Sequence, residues 1–429
     1  MKRVAVVGAG YAGLAAAVEL AAAGIPVAVF EAARTLGGRA RSVEIEGIPL
    51  DNGQHILSGA YRETLRLMEK VGAAPQRLLR RQSLLLEYPG EFRLAAPRLP
   101  APLHLAAALL CAKGFSWSDK WAAIRFMQTL KARQFRLARD PPLAELLAAE
   151  QQPQRVRRYL WEPLCVAALN TPAEYASSQV FANVLRDSLA TARADSDLLL
   201  PLTDLSQLFP QAAEQFIDAH GGTIKRGIRV ERLRYEDAQF RINADESKFS
   251  HVILAVAPYH LAAFAAELPA LAEAAAQVAA FAYEPIVTAY LAYPESVCLP
   301  QPMLGHADGN LQWLFDRGQL GGPAGLLAAV ISAKGRHQDL PPDELAARLD
   351  KEIRGILPGL PTPRWSRVIV EKRATFACTP GLARPAMHTP LPGLLLAGDY
   401  VTSDYPATIE SAVRSGVAAA WQINDQKFV

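Results

Sequence analysis

Apolar positions along the chain fall into runs of two kinds. Arg3–Val7, Pro26–Phe30 and Gly393–Ala397 are short, continuous and β-branched or leucine-rich, the pattern of strands buried on both faces of a parallel sheet. Between the first two, Leu14–Ala23 is an alanine-rich stretch stopped by Gly24, which predicts a buried helix. The second kind alternates. Ile286–Tyr293, Leu311–Phe315, Leu326–Ile331 and Ser366–Arg373 read as half-buried strands, with a helix near Asp343–Ile356. Residues 76–200 are alanine- and leucine-rich and predict helices, broken at Pro97, Pro100, Pro141 and Pro142. No stretch of eighteen residues is continuously apolar, so no transmembrane helix is expected. There is no internal repeat and no low-complexity linker.

The first strand ends in Gly8-Ala9-Gly10-Tyr11-Ala12-Gly13, the helix follows, and Glu31 closes the second strand. Strand, G-x-G-x-x-G, helix, strand and acid at this spacing form a dinucleotide-binding unit. Gly8 allows the tight turn, Gly10 lets backbone approach a pyrophosphate, and Gly13 packs helix on strand. N–H groups at the helix start, Ala12 among them, face the phosphates with the positive end of the dipole. Glu31 can accept from both ribose hydroxyls, which disfavours a 2′-phosphate. Thr35-Leu36-Gly37-Gly38-Arg39-Ala40-Arg41 then brings a second close backbone approach at Gly38 and a charge-assisted phosphate donor in Arg39.

This segment resembles the G-G-R segment of the flavin amine oxidase and carotenoid desaturase superfamily, and the resemblance implies FAD. Asp51-Asn52-Gly53-Gln54-His55 is similar to the loop that passes the isoalloxazine ring there, which assigns Gly53, Gln54 and His55 to the cofactor. The superfamily often has an arginine two residues after the ribose acid. Here that place is Ala33, with Arg34 one further on. Gly398-Asp399 and a small-residue helix over Ala407–Gly416 resemble the second half of the flavin site, carrying Gly398, Asp399, Thr408 and Ile409. Asp399 reads alternatively as a turn or capping residue. Gly222–Lys225 followed by Gly227–Leu233 looks like the strand whose backbone reads adenine at Val230, or a plain hairpin.

The fold class expected is therefore α/β, with a Rossmann-type FAD-binding domain assembled from residues 1–75, 201–257 and 376–429. Residues 76–200 would be a helical insertion facing substrate and membrane. Residues 258–375 would be a mixed-sheet substrate region flooring a cavity that the insertion roofs.

The strings Trp161–Pro172, Arg193–Pro201 and Asp204–Pro210, with Asp51–His55, resemble the hydroxysqualene dehydroxylases, squalene-associated flavoenzymes of bacterial hopanoid synthesis. The likeness spans essentially the whole chain and implies reductive removal of an allylic hydroxyl. Loss of water from a protonated allylic alcohol leaves a delocalised cation for hydride to quench, so the protein must supply a proton donor, an apolar or aromatic wall and exclusion of water. His55 is the first candidate acid, or it holds its loop by a structural hydrogen bond. Tyr405 is a candidate wall or donor, with Asp404 orienting it or capping the helix. Trp161, Asn170, Phe181 and Trp313 are candidates for the substrate pocket or for ordinary core. Glu162 and Asp187 are of interest only if buried. Competing readings are a carotenoid- or squalene-type desaturase, an amine oxidase, and a non-catalytic flavin- or lipid-binding protein. With no second complete dinucleotide motif, the electron donor to the flavin is expected to be external.

Composition adds two points. The net charge is only +3, and the sequence holds no nucleic-acid-binding module, so nucleic acid is not an expected partner. Residues 77–158 nevertheless carry 15 Lys+Arg against 6 Asp+Glu, net +9, so the rest of the chain is net −6. Trp117 and Trp121, four apart beside Lys113 and Lys120, predict an interfacial helix and peripheral membrane contact through about 99–139. Phe126, Leu130 and Leu137 lie roughly opposite the tryptophans, so an internal roof helix is the competing account. Cys111, Cys165, Cys298 and Cys378 are scattered without C-x-x-C spacing. They suit a reducing compartment and argue against a zinc ribbon or dithiol centre. No metal site is expected. The N-terminal apolar run is interrupted by glycines unlike a cleaved signal. The expectation is a cytoplasmic protein with an intact N-terminus, peripheral on the inner face of the membrane.

Overall fold

Short apolar runs remote in sequence build the cofactor half. In the computed structural model, which describes residues 2–243 and 247–425, β1 (Val4–Val7) lies parallel between β2 (Val27–Glu31) and His251–Leu254. Thr223–Arg226 extends the sheet beyond β2, and Leu394–Leu396 extends it beyond His251–Leu254, making five parallel strands. β1 is buried throughout, as a strand covered on both faces must be. The helix α1 (Tyr11–Ala22) is buried at every position but its last. It packs against the C-terminal helix Ile409–Asp425, and the contact is close: a Cβ on Gly416 would stand 2.0 Å from the Ala12 carbonyl oxygen. The small residues of both helices are thus a packing requirement. The final residues 426–429 of the expected C-terminal segment lie outside the described residues.

Of the two segments expected at the adenine strand, Gly222–Lys225 supplies a strand and Gly227–Leu233 does not. Only Leu233 begins one (Leu233–Glu236), and 228–232 are irregular. The edge strand is Thr223–Arg226, and the chain then leaves the sheet where β2 ends, with Gly227 N–H donating to Ala33 O and Ile228 N–H to Glu31 O. Val230 therefore sits in a connection that passes Glu31.

The second sheet runs Met303–Gly305, Trp313–Asp316, Leu326–Ser332, Tyr283–Ala292, Trp365–Phe376. Every pairing is antiparallel, where a mixed sheet was expected. The helix Pro342–Ile356 joins two strands that flank Tyr283–Ala292, and these run parallel to each other without pairing. One face of the sheet buries Leu345, Leu349 and Ile353 of that helix. The other joins a continuous core with the insertion.

Residues 76–200 are not helical throughout. After the short helix Pro75–Leu78 come Leu79–Gln82 and the hairpin Leu85–Tyr88/Phe92–Ala95, and Leu79–Gln82 pairs with Leu198–Pro201. Arg80 and Arg81 masked that first strand, whose outward side is solvated. Helices follow at Leu103–Leu110, Trp117–Ala132, Leu143–Ala149, Glu162–Leu169 and Ser178–Leu189, with a π turn at Arg157–Trp161. No helix among the described residues is long and apolar enough to cross a membrane.

Candidate active site

The turn after β1 is built as the glycine pattern requires. Gly8 has φ +103°, and a Cβ there would lie 2.6 Å from Ala255 O. A Cβ on Gly13 would lie 1.9 Å from Gly8 O. Gly10 is different. A Cβ there would meet only Gly38 Cα, at 3.9 Å, so the protein itself does not need glycine at that place. Gly10 also starts α1 without any side-chain cap, leaving the first N–H groups of the helix for a ligand. The Glu31 carboxylate stands at this turn, accepting from Ala9 N–H at 2.6 Å and Ala33 N–H at 2.7 Å.

Arg39 and Asp399, read separately as ligands, meet each other: Arg39 Nη2 lies 2.6 Å from Asp399 Oδ1, and Nη1 donates to Ala374 O. Tyr283 and Tyr400 feel both charges, and the hydroxyl of each is buried with no partner in the protein. Unpartnered buried hydroxyls beside an ion pair and an open glycine turn are what a polar, phosphate-bearing group would satisfy. Gly398 (φ +156°) donates to Ser415 Oγ at 2.8 Å. Thr408 Oγ1 accepts from Ser411 N–H, capping the C-terminal helix whose first residue is Ile409. One residue unread from sequence organises this loop. Arg384 donates to the carbonyls of Asp399, Tyr400, Val401, Ser403 and Tyr405.

The loop Asp51–His55 is pinned from the antiparallel sheet. Gln54 N–H donates to Thr288 Oγ1, Arg317 Nη1 to Gln54 Oε1, and Tyr290 OH to Asp51 O at 2.9 Å. Gly53 packs within 3.9 Å of Thr288 Oγ1, counted from an added Cβ. Asp51 Oδ1 accepts from Leu205 N–H at 2.7 Å, while its Oδ2 is buried without a partner. Burial pushes the Asp51 carboxyl up to about 6, opposed by the Leu205 hydrogen bond and the Arg317 charge. His55 Nδ1 lies 2.6 Å from Gly53 O. A carbonyl only accepts, so Nδ1 carries the proton and Nε2 is left as an acceptor. Burial holds this imidazole below its ordinary range, against the pull of the Gly53 carbonyl.

Tyr405 OH donates to Asp187 Oδ2 at 2.6 Å, and Arg414 stands 4.4 Å over its ring. Asp187, on the Ser178–Leu189 helix, is thus the partner that Asp404 was expected to be. The Asp404 side chain is 73% exposed, and Thr408 rather than Asp404 caps the following helix. Burial pushes the Tyr405 phenol up to about 12, and Asp187 adds to the rise.

The four pocket candidates are dispersed. Trp161 is buried in the insertion, donating to Gln152 Oε1 and packing on Phe126. Phe181 is buried on the Ser178–Leu189 helix. Asn170, at φ +46°, bridges insertion and sheet, donating to Thr375 Oγ1 and accepting from Ala333 N–H. Trp313 belongs to a buried aromatic cluster with Tyr88, which in turn meets Phe92 and Tyr159. Glu162 is part-exposed and pairs with Arg157.

The model of the flavin containing amine oxidoreductase family matches residues 11–424. Hydroxysqualene dehydroxylase of Rhodopseudomonas palustris is 30% identical over 98% of this chain and 97% of its own. The Sinorhizobium fredii protein of that name is 28% identical over 98% and 97%. Zeta-carotene desaturase of Solanum lycopersicum is 24% identical over 97% and 80%. The solved structure of cyclohexylamine oxidase from Brevibacterium oxydans shares the fold, with TM-score 0.70 and 19% identity over 98% of each chain. The glycine turn, Glu31, the Arg39–Asp399 pair and the unpartnered tyrosines fit FAD, the cofactor of this fold. The chain belongs to the flavin containing amine oxidoreductases and, within them, to the hydroxysqualene dehydroxylase family: it is an FAD-dependent oxidoreductase.

Proposed function

We propose that the chain removes the allylic hydroxyl of hydroxysqualene, taking up one proton and one hydride and releasing water, to give squalene for hopanoid synthesis. The observation that carries this reading is the end-to-end similarity to hydroxysqualene dehydroxylases, over 98% of the chain. Reduced FAD, when bound, supplies the hydride. Gly8, Gly10, Ala12, Gly13, Glu31, Gly38, Arg39, Val230, Gly398, Asp399, Thr408 and Ile409 hold the cofactor. Gly53, Gln54 and His55 form the loop against its ring.

His55 is the residue on this loop that can carry a proton. In its neutral form Nε2 accepts, and it becomes a donor only after taking a proton from water. Its depressed pKa makes that protonated form scarce and a strong acid when it forms. Tyr405 is less suited to donate, since its proton is committed to Asp187, and one ring face already hosts a guanidinium. Its role is to fasten the Ser178–Leu189 helix over the 399–405 loop. The reductant of the flavin is external. The substrate is taken from a bilayer through peripheral contact in about 99–139.

The test is anaerobic. Enzyme with its flavin reduced is mixed with hydroxysqualene while absorbance near 450 nm and squalene are followed. Reoxidation with squalene formed is expected; no reoxidation sinks the proposal. The tomato desaturase similarity favours one alternative. Bleaching of the oxidised enzyme by a more saturated isoprenoid would mean electron flow in the opposite direction.

A further inference from the structure

Eight large apolar side chains are well exposed among the described residues, and five of them fall between Leu99 and Trp121. These are Leu99, Leu103, Leu110, Trp117 and Trp121, the tryptophans being 65% and 62% exposed. The helix Trp117–Ala132 is set in place by a capping box of Ser116 and Asp119. It buries Ala122, Ala123, Phe126 and Leu130. Trp117, Trp121 and Arg125 follow one another every fourth residue on its outward side, so Phe126 and Leu130, across the helix from the tryptophans, are the inward face. Leu137 is part-buried against the same core.

One expected basic contact is used internally. Lys120 is buried, donates from Nζ to Leu110 O at 2.7 Å, and lies 5.0 Å from the Trp117 ring. It closes the end of the Leu103–Leu110 helix and fixes the corner between the two helices. Arg98, Lys113 and Arg125 are exposed around this corner, and none has an ion pair among the described residues. Aromatic and leucine side chains ringed by unpaired cations match a lipid interface in both chemistry and charge. The net +9 of residues 77–158 against −6 elsewhere orients the corner toward an anionic surface.

We propose that the corner formed by Leu103–Leu110 and Trp117–Ala132 docks on an anionic phospholipid bilayer, with Leu103, Trp117 and Trp121 in the headgroup layer. This shifts the membrane contact from about 99–139 to residues 98–125, and it stands on the surface alone, so it can fail while the assigned reaction holds.

The FAD-loaded full-length enzyme is floated with vesicles of phosphatidylcholine containing 30% phosphatidylglycerol, and with phosphatidylcholine alone, at low and high salt. Binding to the anionic vesicles is expected, weakened about a hundredfold on the zwitterionic ones if three cations each contribute as a surface lysine does. Leu103→Ser/Trp121→Ser, which spares the Lys120–Trp117 contact, should weaken binding at least tenfold with flavin absorbance and thermal melting unchanged. Lys113→Glu/Arg125→Glu should remove the salt dependence. Turnover of detergent-dispersed hydroxysqualene should be unaffected by either pair. No binding by the wild type, equal binding by both variants, or a stable dimer in solution that Leu103→Ser/Trp121→Ser dissociates would each overturn the proposal, the last by showing that a second copy covers the corner.

Discussion

Replacing Asp51 by Asn tests whether the Asp51–His55 loop is held by a carboxyl that resists its own charge. Asp51 is 1% exposed. One oxygen caps Leu205 N–H, and the other has no partner. Desolvation lifts its pKa to about 6, while the Leu205 bond and Arg317 favour the ionised form and Asp204 disfavours it. The folded pKa exceeds the unfolded value, so the native state binds more protons between about pH 4 and 6. Stability therefore falls as pH rises through that window and levels off above it. A rise of about 2 units costs about 3 kcal/mol at pH 8 and about half of that at pH 5. Asn keeps the acceptor for Leu205 and discards the charge, but buries an unpartnered N–H, which costs about 1–3 kcal/mol. Asp51→Asn should therefore unfold within about 2 kcal/mol of wild type at pH 8, on either side of it. The decisive quantity is the change in that gap. It should move by about 1.4 kcal/mol against the variant between pH 8 and pH 5, as wild type recovers stability. Denaturant unfolding of the FAD-loaded proteins, followed by flavin and tryptophan fluorescence, measures it. A gap that is constant with pH, or that moves the other way, refutes the argument.

Three further outcomes follow from particular contacts. Gly10→Ala should fold as stably as wild type, because its Cβ meets only Gly38 Cα at 3.9 Å, yet bind FAD at least tenfold more weakly; Gly13→Ala, with 1.9 Å to a backbone oxygen, should lose both stability and flavin, read by the 450/280 nm absorbance ratio. Asn170→Ala should cost about 2–4 kcal/mol in chemical denaturation, by breaking the buried bridge to Thr375 and Ala333 and by losing a residue type that tolerates the left-handed region better than Ala does. Tyr405→Phe should cost about 1 kcal/mol after allowing for partial exposure. Burial would raise the Asp187 carboxyl, but the Arg186 and Tyr405 hydrogen bonds hold it below the usual carboxylate range. Its contribution is therefore present above the unfolded carboxylate pKa and is lost as pH falls through the depressed one, so the Tyr405→Phe deficit should shrink in acid titrations.

What could be read along the sequence is what neighbouring residues decide. β1, α1 and β2 and four of the five strands of the second sheet came within a few residues of their observed bounds, because burial on one or both faces imposes a period that a short window carries, whereas the three-residue strand Met303–Gly305 is too short to show one. The same window misled at Gly227–Leu233. Its β-branched residues have strand propensity, but β2 stops at Glu31 and offers that segment nothing further to pair with. Propensity without a partner gave a loop. The antiparallel sheet was misjudged for a related reason: the helix Pro342–Ile356 is legible, and the order in which its flanking strands sit in the sheet is not.

The site divides along the same line, and the division bears on its chemistry. Gly8, Gly10, Gly13 and Glu31 form a local unit whose roles follow from backbone clearance, so their order along the chain announces them. The residues that fix protonation and posture come from far away. Thr288, Tyr290 and Arg317 clamp a loop more than 230 residues earlier, and Asp187 holds Tyr405 across 218 positions. Proximity in sequence had nominated Asp404 for that task, yet Arg384 gathers the backbone of 399–405 and leaves Asp404 in solvent. Relatives that share the cradle can thus differ in chemistry without altering a glycine, by changing what the antiparallel sheet and the Ser178–Leu189 helix present to the loop and to Tyr405. A substitution at Arg317 or Asp187 should consequently alter pH dependence more than flavin content, whereas one at Gly10 should do the reverse.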